Sequence, residues 1–168
     1  YLCSLLMLAV FAGMIWYLAD YVSSNQEALF NNSYNSQQRV LAQENTRGTI
    51  YAWTGEVLAQ TVIAEDGTSV REYPYKNIFA HVVGYTDKGK TGIEELENYQ
   101  LIHSDISDRE KLDHELTGEK NPGNDVYTTL DTSLQQAASD ALGLYRGAIV
   151  VTEVKTGRVL AMVSKPDY

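Results

Sequence analysis

The sequence predicts an α+β protein carried on an N-terminal transmembrane helix, and three features support that reading. An uncharged apolar run fills the chain from Tyr1 to Ala19. Short β-type segments punctuated by Thr-Gly and Asp-Gly pairs occupy the middle. A patterned helix followed by an apolar hairpin closes the chain. The length of 168 residues allows one domain or one and a half. With 22 acidic side chains against 13 basic ones and a net charge of −9, the chain lacks the basic face that nucleic-acid binding needs. The single cysteine, Cys3, rules out a disulfide framework and multi-cysteine zinc sites. Three histidines without ligand spacing argue against a metal centre, and no segment calls for a cofactor.

Tyr1 to Ala19 as a helix would span about 28 Å, close to the ~30 Å of bilayer hydrocarbon. Trp16 and Tyr17 lie at the end of the run, where amphipathic rings favour the headgroup layer, and Asp20 stops it. A cleavable signal peptide has a shorter apolar core after a basic stretch, and nothing basic precedes Leu2. A buried soluble helix is the other alternative. The expectation is an uncleaved anchor over residues 1–22, with the true N-terminus missing because Tyr1 is not Met. Asp20 and Glu27 come before the first basic residue, Arg39, which favours an outer location for the main body. Residues 23–38, rich in Asn, Ser and Gln, read as a partly helical polar stalk rising from the membrane.

From Arg39 the texture becomes one of strands and turns. Gly48–Tyr51 and Val57–Ala59 flank Thr54-Gly55, and Thr61–Ala64 and Ser69–Tyr73 flank Asp66-Gly67, a hairpin signal. Phe79–Tyr85 reads as a further strand and Ile93–Ile102 as a helix. Ser107 and Glu110 have capping-box spacing, so a helix starts there and ends near Gly118. Glu119–Asn124 is a turn-forming connection and the expected internal boundary, followed by a short strand, Val126–Leu130. Leu134, Ala137, Ala138, Ala141, Leu142 and Tyr145 then form one apolar helical face. Ala148–Thr152 and Val159–Ser164 flank a turn at Lys155-Thr156-Gly157. Both strands are apolar on consecutive residues, so both faces are expected to be buried, and the chain is expected to be cut off inside a larger domain.

No nucleophile elbow, zincin helix, phosphate-binding loop or EF-hand is present. His81 falls in the expected strand, and His103 and His114 lie in or beside helices. Glu94, Glu95 and Glu97 read as the solvated face of a short surface helix rather than as paired catalytic carboxylates.

Seven blocks in order carry a resemblance. They are Arg47-Gly48-x-Ile50 with Gly55-x-x-Leu58-Ala59; Arg71-x-Tyr73-Pro74; His81-Val82-Val83-Gly84-Tyr85; Gly92-Ile93-Glu94 with Asn98 and Leu101; Thr129-Leu130-Asp131-x-x-Leu134-Gln135-x-Ala137; Arg146-Gly147-Ala148-Ile149-Val150-Val151; and Thr156-Gly157-x-Val159 through Ser164-x-Pro166. Together they resemble the class B penicillin-binding proteins, the peptidoglycan D,D-transpeptidases, and most of all the penicillin-binding protein A type of Gram-positive bacteria. One departure is Ala52, where many relatives carry an acid.

The resemblance implies a bacterial cell-membrane protein, single-pass, with its main body extracytoplasmic. Residues 39–120 would be the non-catalytic pedestal, or dimerisation domain, and residues 121–168 the truncated start of a β-lactamase-like transpeptidase domain. It implies as partners the membrane, the chain's own transpeptidase domain and a membrane glycan polymerase, with β-lactams bound only through the missing catalytic part. Such an enzyme needs Ser-x-x-Lys, Ser-x-Asn and Lys-Thr-Gly in that order, one helical turn bringing serine and lysine together. No Ser here has Lys three residues later. Lys90-Thr91-Gly92, Lys155-Thr156-Gly157, Ser23-Ser24-Asn25 and Ser33-Tyr34-Asn35 spell the later motifs by coincidence. The chain alone is therefore expected to carry no catalytic residue. The motif residues Arg47, Gly48, Arg71, Tyr73, Pro74, His81, Gly84, Tyr85, Gly92, Glu94, Asp131, Gln135, Arg146, Gly147, Thr156 and Gly157 are expected to be structural or interdomain, with an arginine set against Glu94. A non-enzymatic single-pass extracytoplasmic binding or sensor protein is the competing reading. A β-lactam sensor is a third, disfavoured because its outer part would lack this pedestal pattern.

Overall fold

The computed structural model describes residues 1–31, 37–64, 68–86 and 89–166. They fall into two units, Tyr1–Gln38 and Arg39–Tyr168. The first contains α1 (Leu2–Ser24) and α2 (Gln26–Phe30). No residue of α1 is buried, and by length and composition the helix can cross a membrane. It runs past Asp20 because a carboxylate limits an apolar run without breaking a helix. Most of the proposed stalk after Asn31, including Ser33-Tyr34-Asn35, lies outside the described residues.

The second unit is entered through α3 (Gln37–Glu44). The strand texture expected from Arg39 therefore starts later, since QQRVLAQE is dominated by straight-chain helix formers. β1 (Asn45–Thr46), β2 (Ile50–Tyr51), β3 (Val57–Ile63) and β4 (Ser69–Glu72) follow. The two expected segments within 57–64 are one strand, antiparallel to β2 on one side and to β4 on the other. The Asp66-Gly67 turn lies outside the described residues.

The expected strand Phe79–Tyr85 is instead a 3-10 turn, Lys76–Ile78, leading into one helical turn, α4 (Ala80–Val83). Phe79 and Val83 are the buried pair, and their i, i+4 spacing is helical; the contiguous apolar letters concealed that period. The expected helix Ile93–Ile102 is two, α5 (Gly92–Leu96) and α6 (Asn98–Ile102), hinged at Glu97. α7 (Asp108–Thr117) has the full capping box of Ser107 and Glu110 and a left-handed Gly118 at its end, as expected.

The connection after α7 takes part in sheet pairing. β5 (Asn121–Pro122) pairs in parallel with β1, and β6 (Val126–Tyr127) pairs in parallel with β2, stacking Tyr127 on Tyr51 at 5.0 Å. The resulting four-stranded sheet has the order β4-β3-β2-β6. Its core joins Ile50, Ala52, Leu58 and Ala59 to Phe79, Val83, Leu101 and Leu130.

α8 (Thr132–Leu142) then packs on a hairpin of β7 (Gly147–Thr152) and β8 (Val159–Lys165). The expected apolar face of α8 divides. Ala138 is buried with Gln135 and Ser139, while Leu134, Ala137 and Ala141 are exposed and Tyr145 lies beyond the helix. The hairpin is likewise buried on one face only. Ala161 and Val163 are covered, whereas Val150 and Met162, paired across the strands, are 54% and 37% exposed. One helix covers one face of two strands, and nothing else among the described residues covers the other.

Candidate functional site

Three chain segments converge on one buried carboxylate. Arg47 follows β1, Arg71 lies on β4 and Glu94 sits in the first turn of α5. Glu94 is fully buried, which corrects its reading as part of a solvated acidic face; Glu95 alone of the three acids is fully on the surface. Arg47 donates from Nε to Glu94 Oε2 at 2.7 Å, and its Nη2 lies 2.6 Å from the same oxygen. Arg71 Nε donates to Oε1 at 2.8 Å, and the Tyr73 hydroxyl reaches Oε1 at 3.4 Å. Most of the remaining guanidinium donors reach backbone or side-chain oxygens, while Arg71 Nη2 is buried without a hydrogen-bond partner. Arg47 Nη2 donates to the Glu94 carbonyl at 2.7 Å and Nη1 to Asn98 Oδ1 at 2.8 Å. Arg71 Nη1 donates to the Gly48 carbonyl at 2.6 Å and to Thr61 Oγ1 at 3.0 Å.

Two buried guanidinium groups therefore share one carboxylate. Burial lowers the pKa of Arg47, opposed by Glu94 and reinforced by Arg71. Burial also raises the Tyr73 phenol and lowers the half-buried Lys90, the latter assisted by Arg47. The excess of positive charge is accommodated by oriented carbonyls and amide oxygens. An arrangement with every carboxylate oxygen occupied by a buried cation has no oxygen left to move a proton. Its chemistry is that of a clasp.

The glycines around the clasp let backbone meet backbone. A Cβ on Gly48 would lie 2.0 Å from the Asn124 carbonyl oxygen. One on Gly84, where φ is +82°, would lie 1.9 Å from that of Thr91. The first contact seats the 121–127 segment and the second locks α4 to the start of α5.

Residues 47–126, which hold the clasp and its glycines, match the model of the penicillin binding protein A dimerisation domain. The peptidoglycan D,D-transpeptidase PbpA of Mycolicibacterium smegmatis is 40% identical, the match covering 78% of this chain and 29% of that protein. The peptidoglycan D,D-transpeptidase MrdA of Escherichia coli K12 is 33% identical, the match covering 61% of this chain and 21% of that protein. Among solved structures, the D,D-transpeptidase domain from Eggerthella lenta aligns with a TM-score of 0.60 at 42% identity, covering 73% of this chain and 26% of that one. Penicillin-binding protein A from Mycobacterium tuberculosis, solved as an imipenem acyl-enzyme, aligns at 0.64 with 34% identity, covering 75% and 31%. The chain belongs to the class B penicillin-binding proteins. It spans under a third of the length of these relatives.

The other motif residues of this penicillin-binding protein are spread over the second unit and do not converge on one site. Asp131 caps α8, its Oδ1 accepting from the Leu134 N–H at 2.9 Å; the bond from the Ser133 hydroxyl, with that from Leu134 second, holds the carboxyl below its ordinary range. Gln135 is fully buried, with all the bonds of its amide made internally. Its Nε2 donates to the carbonyls of Ile78 at 2.7 Å and Met162 at 2.8 Å, and its Oε1 accepts from the Met162 N–H at 2.8 Å. His81 on α4 lies 3.1 Å from the Pro166 carbonyl. Pro74 sits exposed after β4, Tyr85 lines a cavity with Tyr73 and Phe79, and Gly92 opens α5. Arg146 is exposed, Gly147 begins β7, and Thr156 and Gly157 form the hairpin turn, Gly157 with φ +75°. Lys90-Thr91-Gly92 leads into α5 and Lys155-Thr156-Gly157 lies in the exposed turn. Among the described residues no group of three or more His, Cys, Asp or Glu side chains could hold a metal ion. Thr61, which receives Arg71 and donates to the Arg47 carbonyl at 2.9 Å, was not signalled by any motif.

Proposed function

We propose that this chain is the membrane-held, non-catalytic portion of a peptidoglycan D,D-transpeptidase that cross-links cell-wall stem peptides. Residues 1–22 anchor it, 23–38 form a stalk, 39–120 form the dimerisation domain, and 121–168 open the transpeptidase domain. The observation that carries the reading is the Arg47–Glu94–Arg71 clasp within a dimerisation-domain match, followed in the chain by α8 and the β7–β8 hairpin. The exposed apolar face of that hairpin, at Val150 and Met162, suits a layer supplied by further transpeptidase sequence. The main body lies outside the membrane, which suits Asp20 near the end of α1 and Glu27 in α2 preceding the first basic residue, Arg39. A membrane-embedded glycan polymerase is its partner in the wall.

Because no serine has lysine one helical turn later, the chain alone forms no acyl-enzyme. Fluorescent penicillin tests this directly. The 168-residue chain should remain unlabelled in detergent after denaturing electrophoresis, whereas a longer protein containing it and a Ser-x-x-Lys should become labelled. Covalent label on the chain, or none on the longer protein, would overturn the assignment.

A further inference from the structure

A cavity of about 240 Å³ opens where the β2–β3 turn meets the β7–β8 turn, walled by Trp53, Thr129, Asp131, Glu153, Arg158 and Leu160. Trp53 is 65% exposed, and among the described residues its indole N–H has no partner. The walls are held by backbone. The Trp53 N–H donates to the Leu130 carbonyl, Asp131 to Leu160 and Glu153 to Arg158, each at 2.8 Å. The polar groups are only half used. Asp131 accepts its capping bonds on Oδ1, and Glu153 accepts from the Thr156 hydroxyl on Oε2. Asp131 Oδ2 and Glu153 Oε1 therefore carry no bond among the described residues, and Arg158 forms no ion pair there. A preformed pocket thus offers an aromatic plate, two uncommitted carboxylate oxygens and one guanidinium.

The mixture selects its ligand. An anion would meet Asp131 and Glu153, and a cation would meet Arg158. A neutral ring with one apolar face and a rim of hydroxyls satisfies all three, because hydroxyls both donate to carboxylates and accept from guanidinium. We propose that this pocket binds one pyranose unit of a glycan strand, stacked on Trp53, with hydroxyls hydrogen-bonded to Asp131, Glu153 and Arg158. That the sugar is an N-acetylhexosamine rests on the peptidoglycan reading above; that it is a pyranose rests on the pocket.

Tri-N-acetylchitotriose, titrated into the full chain in detergent with Trp16→Phe so that Trp53 alone reports, should give a saturable shift of indole emission. Calorimetric titration of Trp53→Ala and Arg158→Ala should show affinity reduced about tenfold or more, the loss of one ligand contact. Both side chains lie on the surface, so unchanged thermal melting of the variants would exclude a folding defect. No saturable signal up to ~10 mM sugar, or wild-type affinity in Trp53→Ala, overturns the pocket. Equal binding of maltotriose overturns the hexosamine. A longer protein acylated by penicillin while this chain ignores chitotriose would remove the saccharide site and leave the transpeptidase reading standing.

Discussion

Replacing Glu94 by Gln keeps the shape of the clasp and removes its only negative charge. At an effective dielectric near 20, each Arg–Glu contact is worth about 4 kcal/mol of attraction before desolvation. The substitution forfeits both while leaving two guanidinium groups buried, with side chains 13% and 6% exposed. The new amide NH2 also points a donor at a donor, since Arg47 and Arg71 both donate to the two Glu94 oxygens. Breaking a buried pair in this way costs about 3–5 kcal/mol, a large share of a domain's ~5–15 kcal/mol. At ~2–4 °C per kcal/mol for a chain of this size, Glu94→Gln should melt roughly 6–20 °C below the parent by calorimetry. A companion variant separates charge from packing. Arg47→Met, Arg71→Met and Glu94→Leu together remove the desolvation cost along with the attraction, and should retain more stability than Glu94→Gln alone. A single-variant shift under ~2 °C, or a triple variant worse than the single one, would refute the view that an unbalanced buried charge sets the cost.

Gly48→Ala should destabilise by several kcal/mol because its Cβ would overlap the Asn124 carbonyl, whereas Gly147→Ala meets only Leu142 at 3.6 Å and should stay within about 0.5 kcal/mol in urea melts. Gln135→Leu strands the Ile78 carbonyl and the Met162 N–H and carbonyl, and should cost about 3 kcal/mol with faster amide exchange at Met162. The Asp131 carboxyl is depressed in the folded state, so its contribution is complete above its ordinary value of 3.8 and vanishes as pH falls through the lower folded value. Asp131→Asn removes this charge-dependent part, so it should lower the melting temperature at neutral pH and flatten its further loss on acidification.

What the sequence made legible was local. The α7 cap needs Ser107 and Glu110 three residues apart, and the β7–β8 hairpin needs two apolar runs around Thr156-Gly157; both are complete within a short window. The family motifs likewise located the clasp residues and set an arginine against Glu94, without showing that two arginines share that one buried carboxylate. Glu94 shows why. Its sequence neighbours, Glu95 and Glu97, suggest a wet surface, while its partners Arg47 and Arg71 lie 47 and 23 residues away. No periodicity records a contact across that distance. The α4 segment failed differently: five residues with both aromatic and β-branched side chains satisfy a strand pattern and one helical turn equally well, and only the burial of Phe79 and Val83 on one side decides.

Gln135 exposes the same limit from the opposite direction, and it bears on how the chain behaves as a whole. An apolar-face reading of α8 passes over it, since glutamine ordinarily points to solvent. Yet it bonds the 3-10 turn before α4 to β8, so a polar side chain joins the dimerisation-domain layer to the hairpin. Leu130 belongs to the same buried core as Ile50 and Phe79, and Val159 packs against that core, so apolar contact crosses at the same place. A flexible junction would leave its amide groups to water. Here they are buried and paired with each other, and opening the junction would expose three backbone groups and one amide at once. The hairpin and the sheet should consequently unfold together, and a strain applied at the clasp should be felt at Met162 before it is felt at the exposed turn around Thr156.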